Sequence, residues 1–284
     1  MKDKPLVSIV TPTYNYGRFI EDTILSVKNQ DYPNIEHIIV DGGSTDNTLE
    51  ILKKYESTYN MRWISEPDEG ESDAINKGFK MAKGEILAWL DSDDVYSNKK
   101  VISRVVEVFI NNPDVQVVHG NCAIIDEKGN IIKKVRTVPF NYKAYLYGYP
   151  LTLALPQPST FWRREIFFKV GMLDPKLYWA MDRDLFLRFA EYGAKFKFIK
   201  DELSYFRLHP KSKSVSNPKL DEWRNIRDKR LRDMDTKSFK FRLIVAWYIL
   251  RRISLHIVQG DLKFLFESFL ELSKRKILLN EGEI

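Results

Sequence analysis

The sequence predicts an α/β fold, with a mostly parallel, doubly wound sheet and a C-terminal helical extension. Three observations lead to this class. Short β-rich segments alternate with segments of helical periodicity through the first hundred residues, as in βαβ crossover units. The β-rich segments end in polar clusters, as strands do at the ligand-binding edge of an open sheet. Beyond residue 216, apolar residues recur only at helical spacing.

The predicted elements follow one another in short units. Residues 6–10, 35–40, 62–64 and 85–90 are the predicted strands, and helices are predicted around residues 19–27, 49–55 and 72–83. We expect the first strand to end at Pro12, because proline has no N–H for pairing in the middle of a sheet. Gly42 and Gly43 permit a tight turn after the second strand. Units of this length indicate crossovers between parallel strands.

Polar clusters follow three of these strands: Thr11–Asn15, Asp41–Asp46 and Asp91–Asp94. In a parallel sheet the carboxyl ends of the strands share one edge, so we expect the clusters to converge on one cleft. The third cluster places three carboxylates within four residues. Mg²⁺ and Mn²⁺ prefer oxygen ligands and often bind carboxylates together with substrate phosphates. The sequence therefore favours a nucleotide or diphosphate site with Mn²⁺ or Mg²⁺ over a polar turn that only caps a helix.

Composition and missing motifs exclude several other classes of protein. The chain has 284 residues, 44% of them hydrophobic, and its one cysteine, Cys122, allows no internal disulfide. No signal-like segment precedes the first strand, and no apolar run reaches the ~20 residues of a spanning helix. We therefore expect a cytoplasmic protein. Neither a G-x-G-x-x-G sequence nor a P-loop follows the first strand, and no nucleic acid is expected as a partner.

The first hundred residues resemble family 2 glycosyltransferases in the order and spacing of four segments. These are Pro12-Thr13-Tyr14-Asn15, Val40 to Thr48, Glu69-Gly70 with Ala74, Asn76 and Gly78, and Leu90-Asp91-Ser92-Asp93-Asp94. The resemblance implies a GT-A fold and a nucleotide-sugar donor. It departs from the family at Ile75, where many members have arginine.

The resemblance continues to about residue 215. The segment from Gln157 to Arg164 is similar to the acceptor side of the family, and we expect Gln157, Arg163 and Arg164 to contact phosphate or acceptor. Asp182 matches the catalytic base, although Met181 stands where the family usually has glutamate. His209 is similar to a late histidine that reaches the metal or the diphosphate in some members.

The resemblance also implies a role for each matching side chain. Asp182 is the implied base, and Asp93 and His209 are the implied ligands of Mn²⁺ or Mg²⁺. The implied donor-binding residues are Thr11, Pro12 and Tyr14 around the base and ribose, Asp41 at the nucleobase, and Asp91 with Ser92 at the ribose or a second metal position. The implied reaction is inverting transfer of a hexosyl or N-acetylhexosaminyl group by single displacement. The donor is a nucleotide sugar, a UDP-sugar before others, and the acceptor is a glycan or lipid-linked hydroxyl, as in polysaccharide biosynthesis.

Several of these residues have a plainer alternative. Asp41 can be a turn residue that bonds its own backbone, and Asp91 with Asp93 can cap a turn. His209 can be a surface histidine in a loop rich in serine and lysine, while Arg163 and Arg164 can form a solvated helix start. These alternatives remain open on the sequence.

Two carboxylates compete for the role of base. Asp182 lies in the first turn of a helix predicted over residues 178–192, where the helix dipole is expected to keep it ionised. Asp184 lies about 200° further around that helix, so the two cannot point in one direction. We expect Asp184 to pair with Arg188 at i,i+4 instead.

The last part of the chain is basic. From Lys200 onward there are 19 Lys and Arg against 12 Asp and Glu, a net charge of +7, whereas the whole chain carries +6. Helical spacing is predicted over residues 218–235, 239–257 and 262–276. Basic amphipathic helices with aromatic residues suit a membrane interface, which would bring the protein to the inner face of the cell membrane. The alternative is that these helices pack on the catalytic domain or on a second subunit, as in a homodimer.

The predicted organisation is a catalytic domain over residues 1–215, with a nucleotide-sugar half to about residue 110 and an acceptor half over 111–215, followed by a helical tail over 216–284. Two other functions remain as alternatives. A sugar nucleotidyltransferase would need a Gly- and Arg-rich loop after the first strand, which Thr11–Asn15 is not. A non-catalytic nucleotide-binding protein is supported by Met181 alone.

Overall fold

The computed structural model describes residues 4–147, 155–216, 219–232 and 234–258. Within these residues one sheet contains β1 Val7–Thr13, β2 Ile35–Asp41, β3 Met61–Ser65, β4 Ile86–Trp89, β5 Val95–Tyr96, β6 Val117–Ile125, β7 Ile131–Val135, β8 Thr160–Arg163 and β9 Phe196–Arg207.

Helices connect and cover these strands. They are α1 Ile20–Lys28, α2 Thr48–Tyr55, α3 Glu71–Met81, α4 Val101–Asn111, α5 Tyr142–Tyr147, α6 Arg164–Lys169, α7 Met181–Glu191, α8 Lys213–Ser216, α9 Leu220–Leu231 and α10 Phe239–Val258, with a short 3-10 helix at Gln157–Ser159. The predicted helical segment at 262–276 lies outside the described residues.

The sheet has the order β3-β2-β1-β4-β8-β6-β9-β5, and β7 pairs with β6. The first four strands in this order are mutually parallel. Strand β8 is antiparallel to both of its neighbours, β4 and β6, and β6 is parallel to β9. The predicted α/β class with a mostly parallel sheet is confirmed.

Strand β1 continues through Pro12, so the predicted end at this proline is wrong. Pro12 is opposite Val40 in the parallel pairing with β2. The carbonyl of Val10 accepts a hydrogen bond from Leu90, and that of Thr13 accepts one from Gly42 after β2. Because successive residues of a strand face alternate neighbours, the nitrogen of Pro12 faces the β4 side. Strand β4 has already ended there at Trp89, and its pairing with β1 stops at Val10, so Pro12 interrupts no strand pairing on that side.

The core lies on both faces of the sheet. Ile9 of β1 packs on one face with Ile102 and Phe109 of α4. On the other face, Gly78 of α3 lies so close to Val10 that a Cβ at this glycine would be 2.4 Å from the valine Cγ1. Helices on alternate faces make the sheet doubly wound, as predicted.

The chain divides into two compact units, Met1–Val135 with Leu155–Ile226 and Arg136–Ala154 with Arg227–Ile284. The first unit contains the whole sheet. In the second unit α10 packs on α5, where the Lys143 ammonium lies 5.7 Å from the centre of the Phe241 ring. Of the helices in the described ranges, none combines the length and the apolar character that crossing a bilayer requires.

Candidate active site

The loops after β1 and β2 are joined by hydrogen bonds at the carboxyl edge of the sheet. Asn15, in the left-handed region with a φ of 56°, donates its backbone N–H to Ser44 Oγ over 2.7 Å. Its side-chain oxygen accepts from the backbone N–H of Thr45 over 2.8 Å. Asparagine tolerates this backbone conformation better than most residues. Two of the three polar clusters therefore form one connected wall.

Asp41 is fully buried at the base of this wall. Its Oδ2 accepts hydrogen bonds from the backbone N–H groups of Gly43 and Ser44, at 3.0 and 2.9 Å, and from Ser65 Oγ at 2.6 Å. Its Oδ1 accepts from the Ser44 hydroxyl. Both oxygens are thus used within the turn, which matches the turn-stabilising alternative weighed from the sequence.

The residues around the end of β1 differ in what they present to a ligand. Thr11 is completely buried, and its hydroxyl is 2.9 Å from His37 Nε2 inside the sheet. His37 Nδ1 is 2.6 Å from the Tyr59 hydroxyl, and burial lowers the pKa of His37 to about 3. Tyr14, in contrast, is 56% exposed. Of these side chains, Tyr14 is the one that a ligand at this edge can contact directly.

The turn Asp91–Asp94 follows β4 at the same edge. Trp89 Nε1 donates to Asp91 Oδ1 over 2.5 Å, and Asp94 Oδ1 accepts from the backbone N–H of Arg207 over 2.9 Å. Ser92 is 4% exposed. The carboxylates of Asp91 and Asp94 are therefore held by different partners, and the third predicted cluster lies at the same edge as the other two.

His209 is buried against Asp93. Its Nε2 lies 3.0 Å from Asp93 Oδ2, and its ring centre is 4.8 Å from that of Phe19 and 5.8 Å from that of Tyr16. At 7% exposure it is not a surface histidine. The structure thus brings together two residues that are 116 positions apart in the chain.

Ionisation of the carboxyl groups in this turn is unfavourable, because they are buried and lie close to one another. Burial, then Glu71 and Asp93, raise the pKa of Asp91, while burial, then Asp93 and Asp91, raise that of Asp94. The Asp94 Oδ2 atom is buried without a hydrogen-bond partner.

A cation at Asp93 would relieve the repulsion between these carboxylates. No three ligating side chains meet around one point in the described ranges, but Mg²⁺ commonly uses one or two carboxylates with substrate phosphates and water. Asp93 and His209 fit such a site.

Arg207 stabilises the turn Asp91–Asp94 through buried hydrogen bonds, a role that the sequence did not predict. It is 2% exposed; its Nε donates to the Asp93 carbonyl over 2.8 Å and one terminal nitrogen pairs with Asp22 Oδ2 over 2.9 Å. Its guanidinium also lies 5.0 Å from the centre of the Phe19 ring. Its position two residues before His209 was the only signal in the sequence.

Arg163 and Arg164, which are predicted to contact phosphate or acceptor, are placed away from the carboxyl edge by the register of β8. Arg163 is opposite Ile86 at the start of β4, and the N–H of Arg164 donates to the Glu85 carbonyl. Because β8 is antiparallel to β4, both lie at the far edge of the sheet, about 16 Å along the strand from Asp91. Arg163 instead donates to the carbonyls of Val115 and Phe109.

Gln157, the third residue predicted on the acceptor side, lies at the carboxyl edge. Its Nε2 donates to the Trp89 carbonyl over 2.6 Å, directly before the carboxylate turn. It shares this edge with Asp91, unlike the two arginines that follow it.

Helix α7 carries Asp182 in its first turn, as predicted. Asp184 Oδ2 accepts from Arg188 Nε over 2.7 Å, which confirms the predicted i,i+4 pair. Arg188 also donates to the carbonyls of Val170, Gly171 and Met172. Asp184 is therefore bound into the structure of this helix, whereas no hydrogen bond of the Asp182 carboxylate to another residue's side chain is found among the described residues.

The protonation of Asp182 differs from the expectation. Burial raises its pKa, and the neighbouring Arg183 and the more distant Lys213 only partly oppose the rise. The helix dipole was expected to keep this carboxyl ionised, but desolvation outweighs it. A carboxylate with a raised pKa is a better general base than one with the ordinary pKa of aspartate.

Two further residues near Asp182 come from segments that sequence reasoning left unassigned. Lys213 Nζ is 2.5 Å from Glu71 Oε2 and 4.1 Å from the centre of the Tyr178 ring. The Glu222 carboxylate accepts backbone hydrogen bonds from Tyr178, Trp179 and Ala180 at 2.7 to 3.2 Å, directly before α7. Their partners are 142 and about 44 positions away in sequence, so no local pattern could reveal either contact.

Comparison with known proteins agrees with this geometry. The family model described as glycosyl transferase family 2 matches residues 8–171. An uncharacterized glycosyltransferase of Nostoc sp. is 30% identical over 217 residues, which is 74% of this chain and 67% of that protein. Another, of Rickettsia conorii, is 32% identical over 232 residues, which is 76% of this chain but 37% of that protein.

Solved structures share the fold. S. aureus TarS 1-349 in complex with UDP-GlcNAc superposes with a TM-score of 0.65 at 21% identity, covering 88% of this chain and 73% of that one. The mannosyltransferase PcManGT from Pyrobaculum calidifontis, in complex with GDP-Man and Mn²⁺, gives 0.59 at 18% identity, covering 98% and 81%. These likenesses confirm the GT-A type of sheet.

Proposed function

The chain belongs to glycosyltransferase family 2, and from this premise we propose that it transfers a sugar from a nucleotide-sugar donor to a hydroxyl of a glycan or lipid-linked acceptor, with inversion, by single displacement. One observation carries the proposal. Asp93, Asp91 and His209 meet at the carboxyl edge of the sheet, beside the wall built by Asn15 and Ser44. Ligands of open α/β sheets bind at this edge.

The donor side of the cleft is assigned to the ends of β1, β2 and β4. Tyr14 would contact the base, while Pro12 and the buried Thr11 shape the backbone beneath it. Asp41 would act by holding its turn rigid, and Asp91 with Ser92 would face the ribose. Binding of UDP-GlcNAc by TarS and of GDP-Man by PcManGT supports a nucleotide-sugar donor. We favour a UDP-sugar with a hexosyl or N-acetylhexosaminyl group.

The chemistry is divided between two sides of the cleft. Asp93 and His209 would hold Mn²⁺ or Mg²⁺, which when bound supplies charge neutralisation for a leaving diphosphate. Asp182 would accept the proton of the acceptor hydroxyl, and its raised pKa suits this role. Gln157, at the same edge, would face the acceptor.

An anionic membrane is the proposed partner of the second unit. Five exposed residues of α10 fall within about 80° of the helix surface: Phe239, Leu243, Trp247, Leu250 and Ile257. Lys240 and Arg251 flank them on one side, and Arg251 lies 5.1 Å from the centre of the Trp247 ring. An apolar stripe with basic flanks suits an anionic interface. Sedimentation with anionic vesicles at low salt tests this, and a soluble dimer that does not sediment would contradict it.

The decisive experiment measures free nucleoside diphosphate after incubation with Mn²⁺, a mixture of glycan and lipid-linked acceptors, and a panel of UDP-, GDP-, ADP- and dTDP-sugars. We expect release with one nucleotide class, and its loss both in excess EDTA and in Asp93→Ala. Arg164→Ala, at the far edge of the sheet, is the matched control and should retain activity. A protein that binds nucleotide but never releases diphosphate would be non-catalytic. Formation of a nucleotide sugar from a sugar phosphate and a nucleoside triphosphate would instead identify a nucleotidyltransferase.

A further inference from the structure

Lys213 brings a positive charge to the carboxylate side of the cleft. Its ammonium pairs with Glu71 Oε2 over 2.5 Å, and both side chains are one-quarter exposed. The same ammonium lies above the Tyr178 ring. Lys213 also lowers the pKa of Asp91 and of Asp182, although burial of these two carboxyls dominates. Its charge therefore acts on both the donor side and the base.

A rigid turn fixes the distance between Lys213 and His209. Ser212 Oγ accepts from the backbone N–H of His209 over 3.0 Å, and the N–H of Ser212 donates to the His209 carbonyl over 2.9 Å. Ser212 is 3% exposed. His209 is held against Asp93, so the turn at Ser212 fixes the distance from the Lys213 backbone to the turn Asp91–Asp94. The four methylenes of the lysine side chain allow its ammonium to change position.

The cleft needs such a cation when a diphosphate enters. Asp91, Asp93 and Glu71 already repel one another there, since Glu71 and Asp93 both raise the pKa of Asp91. Arg163 and Arg164 lie at the far edge of the sheet. Arg207 is 2% exposed and donates to groups under the turn. Among these cations, only Lys213 combines a position beside the carboxylates with access to solvent.

Two features stabilise the Glu71 carboxylate after the ammonium leaves it. It lies in the first turn of the eleven-residue helix α3, where a negative charge is favoured by the helix dipole. It is also partly exposed, so water can replace the lysine. Lysine suits an exchange of partners, because it is a compact charge on a flexible stem.

We propose that Lys213 exchanges Glu71 for the diphosphate of the donor, and so holds the leaving group at the carboxylate side of the cleft. The inference rests on the proposed nucleotide-sugar function and adds the residue that recognises its distal phosphate. No bond is made or broken in this exchange, which is a change of ionic partner only.

The test compares binding of UDP and UMP, with GDP and GMP in parallel, by calorimetry on the full chain. The variants are Lys213→Ala, Lys213→Arg and Glu71→Gln, with Lys211→Ala as the matched control from the same loop. We expect Lys213→Ala to weaken diphosphate binding by about 10- to 100-fold, as for loss of one charge-assisted hydrogen bond. Monophosphate binding should change by less than about twofold, on the same scale. Lys213→Arg should recover part of the loss.

The remaining outcomes separate the possible failures. Because the contact is direct, the loss should persist in EDTA. Glu71→Gln should retain or strengthen diphosphate binding. If the ion pair were purely structural, Glu71→Gln and Lys213→Ala would lose stability to the same extent, and the ratio of diphosphate affinity to monophosphate affinity would not change. That result would overturn the inference. A wild-type chain that binds none of these four nucleotides, and neither ADP nor dTDP, would instead refute the proposed function.

Discussion

The Glu222 carboxylate offers a direct test of how the start of α9 supports the candidate base. It accepts hydrogen bonds from the backbone N–H groups of Tyr178, Trp179 and Ala180, just before the helix that carries Asp182. Trp223, next to it, is buried, and the Arg183 guanidinium lies 5.1 Å from its ring centre and 4.9 Å from that of Trp179. Replacing Glu222 by alanine removes one acceptor from three donors.

The expected loss follows from the kind of bond removed. Hydrogen bonds to a charged acceptor contribute about 1.5–3 kcal/mol each where they are buried, but Tyr178 is 42% exposed, and water can reach its N–H in the variant. We therefore expect Glu222→Ala to lower the free energy of unfolding by about 2 kcal/mol, close to the upper range for loss of a helix cap. Glu222→Gln keeps one acceptor oxygen and should lose about half as much.

Urea unfolding followed by tryptophan fluorescence measures this change, with turnover measured in parallel. Asp221→Ala is the matched control, because Asp221 precedes Glu222 on the same helix with its side chain 85% exposed and paired with Arg224. Surface pairs of this kind contribute little. Equal unfolding midpoints for Glu222→Ala and Asp221→Ala would refute the reasoning, since the three backbone hydrogen bonds would then have no stabilising effect.

Three other predictions concern the site and the core. Asp182→Asn should cut turnover by about 10²–10⁴-fold with donor binding retained, whereas Asp184→Asn should lose stability. If Asp184→Asn were inactive and Asp182→Asn nearly normal, Asp184 and not Asp182 would be the base. Since the pKa of Asp182 is raised, kcat/KM should fall with decreasing pH through a value above the ordinary ~3.9 of aspartate, and an acid limb at or below that value would contradict this. Gly78→Ala should lower the thermal midpoint by forcing Cβ against Val10, and an unchanged midpoint would show that α3 can shift.

The carboxyl edge of the sheet could be predicted because it depends on local pattern alone. Strands that alternate with helices are parallel, and parallel strands end at the same edge. The turns after β1, β2 and β4 were therefore expected to converge, and Asn15, Ser44 and Asp91 lie there. The proline in β1 misled the prediction because its effect depends on the partner strand. Because β4 ends at Trp89, this proline interrupts no strand pairing.

The rest of the site depends on pairings between distant segments. Nothing near Arg163 in the sequence reveals that β8 is antiparallel to β4, yet this pairing moves the arginine to the far edge. The protonation of Asp182 likewise depends on burial by surrounding elements, which outweighs its place in the helix. Asp184 was predictable, because its partner Arg188 is four residues away on the same helix.

The balance of charge around the turn Asp91–Asp94 favours binding of a cation. Arg207 is buried beneath the carboxylate turn and binds carbonyls and Asp22, so it fixes the turn without neutralising its outer face. Lys213 is held by Glu71. Asp91 and Asp94 consequently repel each other and Asp93. A cation at Asp93 would lower this repulsion and provide a counter-charge for the proposed donor, and in our proposal the donor diphosphate would draw Lys213 away from Glu71. If both bind, the cation and the diphosphate each lower the electrostatic free energy of binding the other, and linkage requires this effect to be equal in both directions.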